Sequence, residues 1–151
     1  MKLFARVCCT LALLGALPAG YAVEIADVAP VKAEKAVRTM PSGTWEGTYR
    51  YNDASRPAVQ FILIATVQGN RFSGKISEPN TFGEAGTSFL KAEVSGTLEG
   101  NFVRFTKTYN GAGGQIHAVE YEGVYERKTA TVRGQWAIGL YNGTFEMTLK
   151  P

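Results

Sequence analysis

Cysteine is almost absent from this sequence, and both cysteines, Cys8 and Cys9, lie near the amino terminus. Residues 1–22 have the features of a secretory signal peptide, so we expect them to be removed from the mature chain. A mature chain without cysteine forms no disulfide, has no thiolate nucleophile and offers no cysteine ligand to a metal. Burial and backbone pairing alone must therefore hold its fold together.

Long hydrophobic runs are also lacking. The longest run, from Val7 to Leu17, falls short of the roughly 20 residues that a membrane-spanning helix needs. Lys2 and Arg6 precede this run and small residues up to Ala22 follow it, which is the order of a signal peptide cleaved after Ala22. We therefore expect no membrane span and a periplasmic or secreted protein.

The sequence has little excess of charge of either sign, and it has little histidine. Lys2 and Arg6 are two of the 16 basic residues, so the mature chain carries 14 basic and 13 acidic residues and a net charge of +1. This balance gives no support to nucleic-acid binding. His117 is the single histidine, so no second histidine is present to share a metal, and no motif supplies an acid to orient it as a general base. We expect no metal, no cofactor and no enzyme activity.

Helical spacing is missing as well, because apolar and polar residues alternate along most of the chain after Gly43. Valine, isoleucine, threonine and aromatic residues dominate these runs, as strands favour. Pro57 and Pro79 fall in connections, where a missing N–H costs nothing. The eight predicted strands are residues 43–51, 58–68, 71–78, 89–99, 101–109, 116–127, 129–138 and 144–150.

The connections between these runs alternate in length. The tight ones are 68–70, 99–101 and 127–129, and the longer ones are 52–57, 79–88, 110–115 and 139–143. In an up-and-down arrangement alternate connections share an end, so the pattern predicts a closed floor and an open mouth. We predict an all-β fold, an eight-stranded antiparallel up-and-down barrel over 43–151, with a two-sheet sandwich as the alternative. Residues 23–42 are predicted as an arm or linker, with a short docked segment as the alternative.

Several strand positions resemble the avidin and streptavidin family and, more loosely, the lipocalins. Gly43-Thr44-Trp45 opens the first predicted strand as in avidins, and the stretch ending in Trp136 is similar to their seventh strand. Other similar stretches follow in the same order at residues 74–78, 94–98, 121–125, 144–145 and 149–151. The resemblance implies a calycin-type, avidin-like eight-stranded barrel with a ligand site in its mouth.

The polar residues that bind biotin in avidins are largely replaced. The resemblance places Gly47, Ile76 and Gly143 where avidins have groups that bond the biotin ureido ring. Trp136 keeps one position of the family's aromatic box. Each lost polar partner costs about 1–3 kcal/mol when it leaves a buried ligand group unpaired. The resemblance therefore implies a ligand other than biotin.

The facing implied by the resemblance brings one set of side chains into the barrel interior near the mouth. Its aromatic members would form apolar walls, and its charged members and the histidine would be polar anchors. Trp45 is expected to plug the floor. The predicted ligand-binding set is Tyr49, Ile76, Glu78, Phe105, Lys107, Tyr109, His117, Tyr121, Trp136 and Ile138.

Lys107 and Glu78 are unusual members of this set, because a charge facing a barrel interior costs several kcal/mol unless it is paired or hydrated. As anchors they would fix a polar or anionic ligand, and Lys107→Ala would weaken binding without unfolding the domain. Alternatively they reach water at strand ends, or they pair with each other. His117 likewise has an interpretation as a rim residue without a special role.

Two connections at the predicted mouth differ in character. The loop at 79–88 contains Phe82 and takes the place of the mobile loop that closes over ligand in avidins, so it is the candidate lid. The glycine-rich loop at 111–114 joins two strands and opens no helix, so it is not a phosphate loop. Flexibility at the mouth is a sufficient explanation for its composition.

Three functions are open on the sequence. The first is an exported, non-enzymatic barrel that binds a small polar or anionic ligand in its mouth. The second is a protein-interaction or inhibitor module with a filled interior, which a structure without a cavity beside Trp136 would favour. The third, an enzyme with tyrosine, lysine and histidine in the mouth, lacks a supporting motif. Homo-oligomerisation is open, since no face of the sequence stands out for it.

Overall fold

The computed structural model describes residues 39–151, which form eight strands and one short 3-10 turn. The strands are β1 (Gly43–Tyr51), β2 (Val59–Gln68), β3 (Arg71–Pro79), β4 (Phe89–Glu99), β5 (Phe102–Tyr109), β6 (Ala118–Glu126), β7 (Thr131–Ile138) and β8 (Tyr141–Leu149). The 3-10 turn is Ala112–Gly114. Within these residues no helix is long and apolar enough to cross a bilayer. The predicted signal peptide, 1–22, and residues 23–38 of the predicted arm lie outside the described residues.

Alternation of side chains explains why these runs form strands. In β2, Phe61 and Leu63 are buried, whereas Gln60 between Val59 and Phe61 is exposed. Successive strand side chains point to opposite faces, so an apolar residue at every second position gives one buried face. The same alternation runs through β6, where every second residue from Val119 onward is buried.

The strands close into a barrel in chain order. Each strand pairs antiparallel with the next, and β1 also pairs with β8, from Trp45 opposite Leu149 to Tyr51 opposite Gly143. Closure gives every one of the eight strands a partner on both sides, which removes exposed sheet edges. The predicted up-and-down barrel is confirmed, and the two-sheet sandwich is excluded.

The two ends of the barrel differ in the length of their connections: the floor has short turns and the mouth has the long loops. At the floor, the turns after β2 and β4 contain Gly69 at φ 62° and Gly100 at φ 64°, a backbone conformation that favours glycine. At the mouth, the loops at residues 52–58, 80–88 and 110–117 are longer. The predicted open end is therefore present, with three long loops around it.

The connection between β7 and β8 is shorter than predicted. β7 ends at Ile138 and β8 begins at Tyr141, so two residues form the turn. The prediction of a loop at 139–143 was wrong, because glycine and asparagine in this stretch were taken as interrupting the strand. In the structure the ladder continues through them, and Gly143 pairs with Trp136.

Aromatic side chains fill much of the barrel interior below the mouth. Trp45 is 0% exposed near the floor and meets Tyr125 edge-on, with ring centroids 6.1 Å apart. Further up, Phe105 lies 5.6 Å from Phe72 and 4.5 Å from Tyr121. Such edge and offset contacts are the geometries that aromatic rings prefer. The predicted burial of Trp45 is confirmed.

The described end of the predicted arm, residues 39–42, is packed on the barrel. Met40 is 1% exposed and belongs to the same hydrophobic core. The Ser42 hydroxyl accepts a hydrogen bond from the backbone N–H of Val67 at 2.7 Å. The packed domain therefore includes these residues as well as the strands.

Candidate functional site

The long loops surround a cavity of about 300 Å³ at the mouth of the barrel. Its walls come from β1, β5, β6, β7 and the start of β8, together with the loops that follow β1, β3 and β5. Seven of the eleven lining residues are aromatic, which suits a flat and largely apolar guest. The lining residues are Tyr49, Tyr51, Arg56, Phe82, Tyr109, His117, Val119, Tyr121, Trp136, Ile138 and Tyr141.

A larger concavity of about 600 Å³ lies along β1, β2 and β8 on the outer side of the barrel, where Glu46, Thr48 and Ile62 contribute to its lining. It gathers side chains of a solvated sheet face, among which Glu46 is already paired with Lys150 at 2.7 Å. The aromatic and buried titratable groups converge on the mouth instead. We therefore place the candidate site in the mouth cavity.

Trp136 forms one wall and is fixed at both its ring and its N–H. Its ring meets Tyr51 and Tyr49 edge-on, at centroid distances of 5.0 Å and 5.8 Å. Its indole Nε1 donates a hydrogen bond to the backbone carbonyl of Arg50 at 3.1 Å. Gly143 lies between the two strands concerned, and a Cβ there would be 2.7 Å from that indole nitrogen. A glycine at 143 is therefore what lets the indole reach across β8.

The lower boundary of the cavity is a stack of aromatic rings. Tyr121 lies parallel to Phe105, with ring planes 7° apart, and Phe145 meets both rings edge-on. Of these three, only Tyr121 lines the cavity. Phe105 thus supports the cavity from below and does not face a guest.

Beside this stack lies a buried cluster of Glu78, Lys107 and Tyr109. The Lys107 ammonium donates to Glu78 Oε2 at 2.5 Å and to the Tyr109 hydroxyl at 2.7 Å, and that hydroxyl donates to Glu78 Oε1. Lys107 and Glu78 are each 1% exposed. Ala92 of β4 pairs with Ile76 of β3 on one side and with Tyr109 of β5 on the other. Its small side chain leaves room for the cluster.

The cluster presents little net charge to the cavity, because its lysine and carboxylate satisfy each other. Burial lowers the pKa of the Lys107 ammonium, and the Glu78 carboxylate opposes that change. Burial first, and then the charge of Glu78, raises the pKa of Tyr109 far above its ordinary value. Tyr109 therefore faces the cavity as a neutral phenol whose ring is held in place. The Lys107 ammonium also lies 4.4 Å from the Tyr109 ring centroid.

The same causes act on the other two buried phenols of the lining. Burial raises the pKa of Tyr49 and of Tyr121, and the nearby Glu78 carboxylate raises both further. Both stay protonated throughout the physiological range. The cavity consequently offers neutral hydroxyl groups and apolar ring faces in its depth.

The loop between β3 and β4 closes one side of the mouth, and the side chain of Asn80 cross-links this loop by hydrogen bonds. Asn80 Nδ2 donates to the carbonyls of Glu84 at 2.9 Å and Thr87 at 2.8 Å, and its Oδ1 accepts from the N–H of Gly83 at 2.6 Å. Phe82 at the tip packs edge-on against Tyr109 at 5.8 Å. The predicted lid segment is thus an ordered loop that places one aromatic ring over the cavity.

The glycine-rich loop has a conformational reason for its composition beyond flexibility. Gly111, Gly113 and Gly114 take φ values of 100°, 62° and 74°, which other residues rarely adopt. The Gly113 carbonyl accepts a hydrogen bond from the N–H of Glu84 at 2.9 Å, and a Cβ on Gly113 would be 2.7 Å from Leu90. These glycines therefore allow the two mouth loops to dock on each other.

His117 lies at the rim, at the end of the loop between β5 and β6. Its ring is 4.6 Å from that of Tyr109 and 6.0 Å from that of Phe82. Burial lowers the pKa of His117, the charge of Lys107 lowers it further, and Glu78 opposes both effects. His117 is accordingly a neutral rim residue at pH 7.

Arg56, in the loop after β1, is the lining residue with a fixed positive charge. Its guanidinium carbon lies 5.1 Å from the Tyr51 ring centroid and 4.8 Å from that of Tyr141. Asp53 is its acidic neighbour, with Nε and Oδ2 3.6 Å apart. Arg56 therefore sits over the aromatic edge of the cavity with its charge toward the rim.

The predicted site residues divide into two groups. Those that line the cavity are Tyr49, Tyr109, His117, Tyr121, Trp136 and Ile138. Those that are buried outside its lining are Ile76, Glu78, Phe105 and Lys107. The second group shapes or supports the cavity, so the polar anchors expected from Lys107 and Glu78 are not presented to a guest in this structure.

Five lining residues were not in the predicted set: Tyr51, Arg56, Phe82, Val119 and Tyr141. Alternation could have found Tyr51, which is two residues beyond Tyr49 on β1, and Val119, which lies between His117 and Tyr121 on the same face. Tyr141 was hidden by the misplaced start of β8. Arg56 sits on a loop, where no strand period fixes the direction of a side chain.

Comparison with known proteins adds no family to this picture, since no protein-family model and no curated protein sequence matches the chain. Within residues 39–151, no three histidine, cysteine or acidic side chains gather in a way that could hold a metal ion. The eight-stranded antiparallel barrel is consistent with a calycin-like barrel. The candidate site therefore has to be interpreted from its own geometry.

Proposed function

We propose that this chain is an exported, non-enzymatic binding protein that holds a small organic molecule in the mouth of its barrel, in the periplasm or outside the cell. The observation that carries the proposal is the aromatic-lined cavity of about 300 Å³ beside Trp136. A filled barrel would have favoured the protein-interaction module instead. The cavity is of the size and lining that small-molecule sites have.

The lining suggests what kind of molecule would fit. The ring faces and edges of Trp136, Tyr49 and Tyr121 suit a flat, apolar body. Two polar lining residues, Arg56 and His117, lie toward the rim. A guest would therefore place its apolar part inward and a polar group outward.

No catalytic role is assigned to the buried cluster in this proposal. A general base or nucleophile needs a lone pair or proton that it can exchange with a substrate. Glu78, Lys107 and Tyr109 use theirs on one another. His117 packs against aromatic rings, and no acidic side chain within residues 39–151 makes a hydrogen bond or ion pair with it.

Biotin is not the proposed ligand, although the barrel supports the avidin-like interpretation at the level of strand order. A Cβ at Gly47 would be 2.2 Å from the ring of Phe61, which fills that space. A Cβ at Gly143 would be 1.8 Å from the carbonyl oxygen of Arg50. Side chains that could bond a ureido group do not fit at these two positions without a backbone shift.

Native mass spectrometry of protein purified from its own source tests the proposal, and it also gives the subunit count. We expect a small-molecule adduct that is released on denaturation. Val119→Phe should abolish the adduct by filling the cavity, whereas Val124→Phe, on the same strand but facing outward and 42% exposed, should retain it. An adduct that survives Val119→Phe in a folded protein would place the ligand elsewhere, and equal loss in both variants would also contradict the proposal.

A further inference from the structure

We propose that the ligand is a planar molecule bearing a carboxylate, and that Arg56 recognises this group at the rim of the cavity. This inference rests on the proposed small-molecule function and adds the chemical class of the ligand. The residue concerned is one that strand patterns do not reveal.

The fixed charge in the lining of the cavity is carried by one side chain. Among the eleven lining residues, Arg56 alone has a fixed charge. Lys107 and Glu78 lie behind the lining and neutralise each other at 2.5 Å. Asp53 is near the rim but does not line the cavity. The Asp53 carboxylate, 3.6 Å from Arg56 Nε, partly offsets this charge, so a guest with its polar group at the rim meets at most one positive charge, which favours a monoanion over a dianion.

Aromatic rings and a backbone hydrogen bond hold Arg56 in position, in addition to its ion pair with Asp53. The backbone N–H of Arg56 donates to the carbonyl of Asp53 at 3.1 Å, which fixes the turn. The guanidinium then lies against Tyr51 and Tyr141, at 5.1 Å and 4.8 Å from their ring centroids. Rings on which arginine stacks leave its N–H edge available for hydrogen bonds.

Asp53 reaches the guanidinium of Arg56 through one long contact. Arg56 Nε and Asp53 Oδ2 are 3.6 Å apart, which is too long for a hydrogen bond. The other carboxylate oxygen of Asp53 already accepts from the N–H and the hydroxyl of Ser55, at 3.0 Å and 2.7 Å. The forked edge of the guanidinium therefore keeps N–H groups that can donate to a ligand carboxylate at two points.

A carboxylate is favoured over a phosphate by the same geometry. A phosphate dianion is usually held by several cations or by a row of backbone N–H groups. The mouth offers one guanidinium, and its remaining polar lining groups are phenols and a neutral histidine. One planar fork matches one planar carboxylate.

Titration with 2-naphthoate and its neutral isostere 2-naphthamide at pH 7, by isothermal calorimetry, tests the inference. The acid should bind at least about tenfold more tightly than the amide, since a charge-assisted, two-point contact is lost in the amide. Arg56→Gln should reduce that ratio to about one, because acid binding falls by more than amide binding does. Arg127→Gln makes the same charge change in the turn after β6, at the floor, and should keep the ratio.

Each outcome decides between the two proposals. Equal binding of acid and amide to the unaltered protein, or a preference for the acid that persists in Arg56→Gln, would overturn the role of Arg56 and leave the small-molecule site standing. A preference lost equally in Arg127→Gln would show a general effect of net charge and would also overturn it. Binding of neither probe would count against the mouth cavity as a site for planar molecules, and with it against this inference.

Discussion

Among the ion pairs of the described residues, the contact between Lys107 and Glu78 is the one that is fully buried. Two charges taken out of water are tolerated when they pair closely and when further hydrogen bonds satisfy them, as the Tyr109 hydroxyl does here. The pair therefore contributes to the fold, and it reaches the cavity only through Tyr109. Its effect on a guest is expected to be indirect, through the orientation of that ring.

Replacing Lys107 alone should destabilise the domain. Lys107→Met leaves the Glu78 carboxylate buried without its partner, and breaking such a pair costs about 3–5 kcal/mol. We expect the midpoint of urea unfolding, followed by tryptophan fluorescence, to fall accordingly. This differs from the effect of an exposed ligand anchor, whose removal would change binding and leave the unfolding midpoint unchanged.

The double variant Glu78→Leu/Lys107→Met is the control for the previous prediction. It removes both charges and should recover much of the lost stability, because no buried charge then lacks a partner. If the single and double variants lose the same stability, volume and packing explain the loss. The buried pair would then have no special electrostatic role.

His117 should give the domain a pH-dependent stability in the weakly acidic range. Its folded pKa lies below the ordinary value of 6.5, so the unfolded chain binds its proton first as the pH falls. The contribution is fully present above pH 6.5 and is lost as the pH falls toward the folded pKa. The free energy of unfolding should therefore decrease as the pH falls below 6.5, and this part of the decrease should be absent in His117→Gln. Identical pH profiles for the two proteins would contradict this account of the histidine.

At the scale of the elements, the start of β8 and the position of the Trp136 ring depend on each other. Gly143→Ala would bring a Cβ to 1.8 Å from the Arg50 carbonyl and to 2.7 Å from the Trp136 indole nitrogen. Overpacking of this kind costs about 1–3 kcal/mol, and the displaced indole would also lose its hydrogen bond. We expect lower stability together with a shifted Trp136 indole resonance. Gly86→Ala, at φ 91°, also strains the backbone but places its Cβ within 4 Å of no other atom, so it should lower stability and leave the indole resonance unchanged.

The loop between β3 and β4 should open when the hydrogen bonds of the Asn80 side chain are removed. Asn80→Ala deletes the three hydrogen bonds that this side chain makes within the loop. Hydrogen exchange of residues 81–88 should accelerate while the strands keep their protection. Asn110→Ala is the matched control, since Asn110 makes one such bond in the neighbouring loop, at 3.2 Å. Unchanged exchange in Asn80→Ala would show that the docking onto Gly113 holds the loop by itself.

Strand positions follow from the sequence much better than the cavity does. Alternation is a local signal, so β1 and β4 could be predicted from end to end and the other strands to within two residues, except for the start of β8. The pairing of Lys107 with Glu78 spans 29 residues of chain across β4, so it could be weighed only as one alternative. Arg56 and Phe82 reach the cavity from loops, where tertiary contacts decide direction. Gly143 was predicted to lie in a loop, because the sequence does not show that a glycine is needed there to leave room for Arg50 and Trp136 of the neighbouring strands.

At the scale of the whole molecule, the barrel divides its two tryptophans between its ends. Trp45 is buried near the closed floor and Trp136 lines the open mouth. The aromatic rings between them fill the interior, so a guest at the mouth has no route to the floor within the described structure. This separation gives each end its own spectroscopic reporter.

The most direct test of the mouth cavity is a fragment titration followed by the two indole N–H resonances in a ¹⁵N-labelled protein. We predict that planar aromatic fragments shift the Trp136 resonance in a saturable way and leave the Trp45 resonance unmoved. Val119→Phe should abolish the shift, whereas Val124→Phe should preserve it. A set of aromatic fragments that moves neither resonance, or that moves both together, would contradict a binding site in the mouth of this barrel.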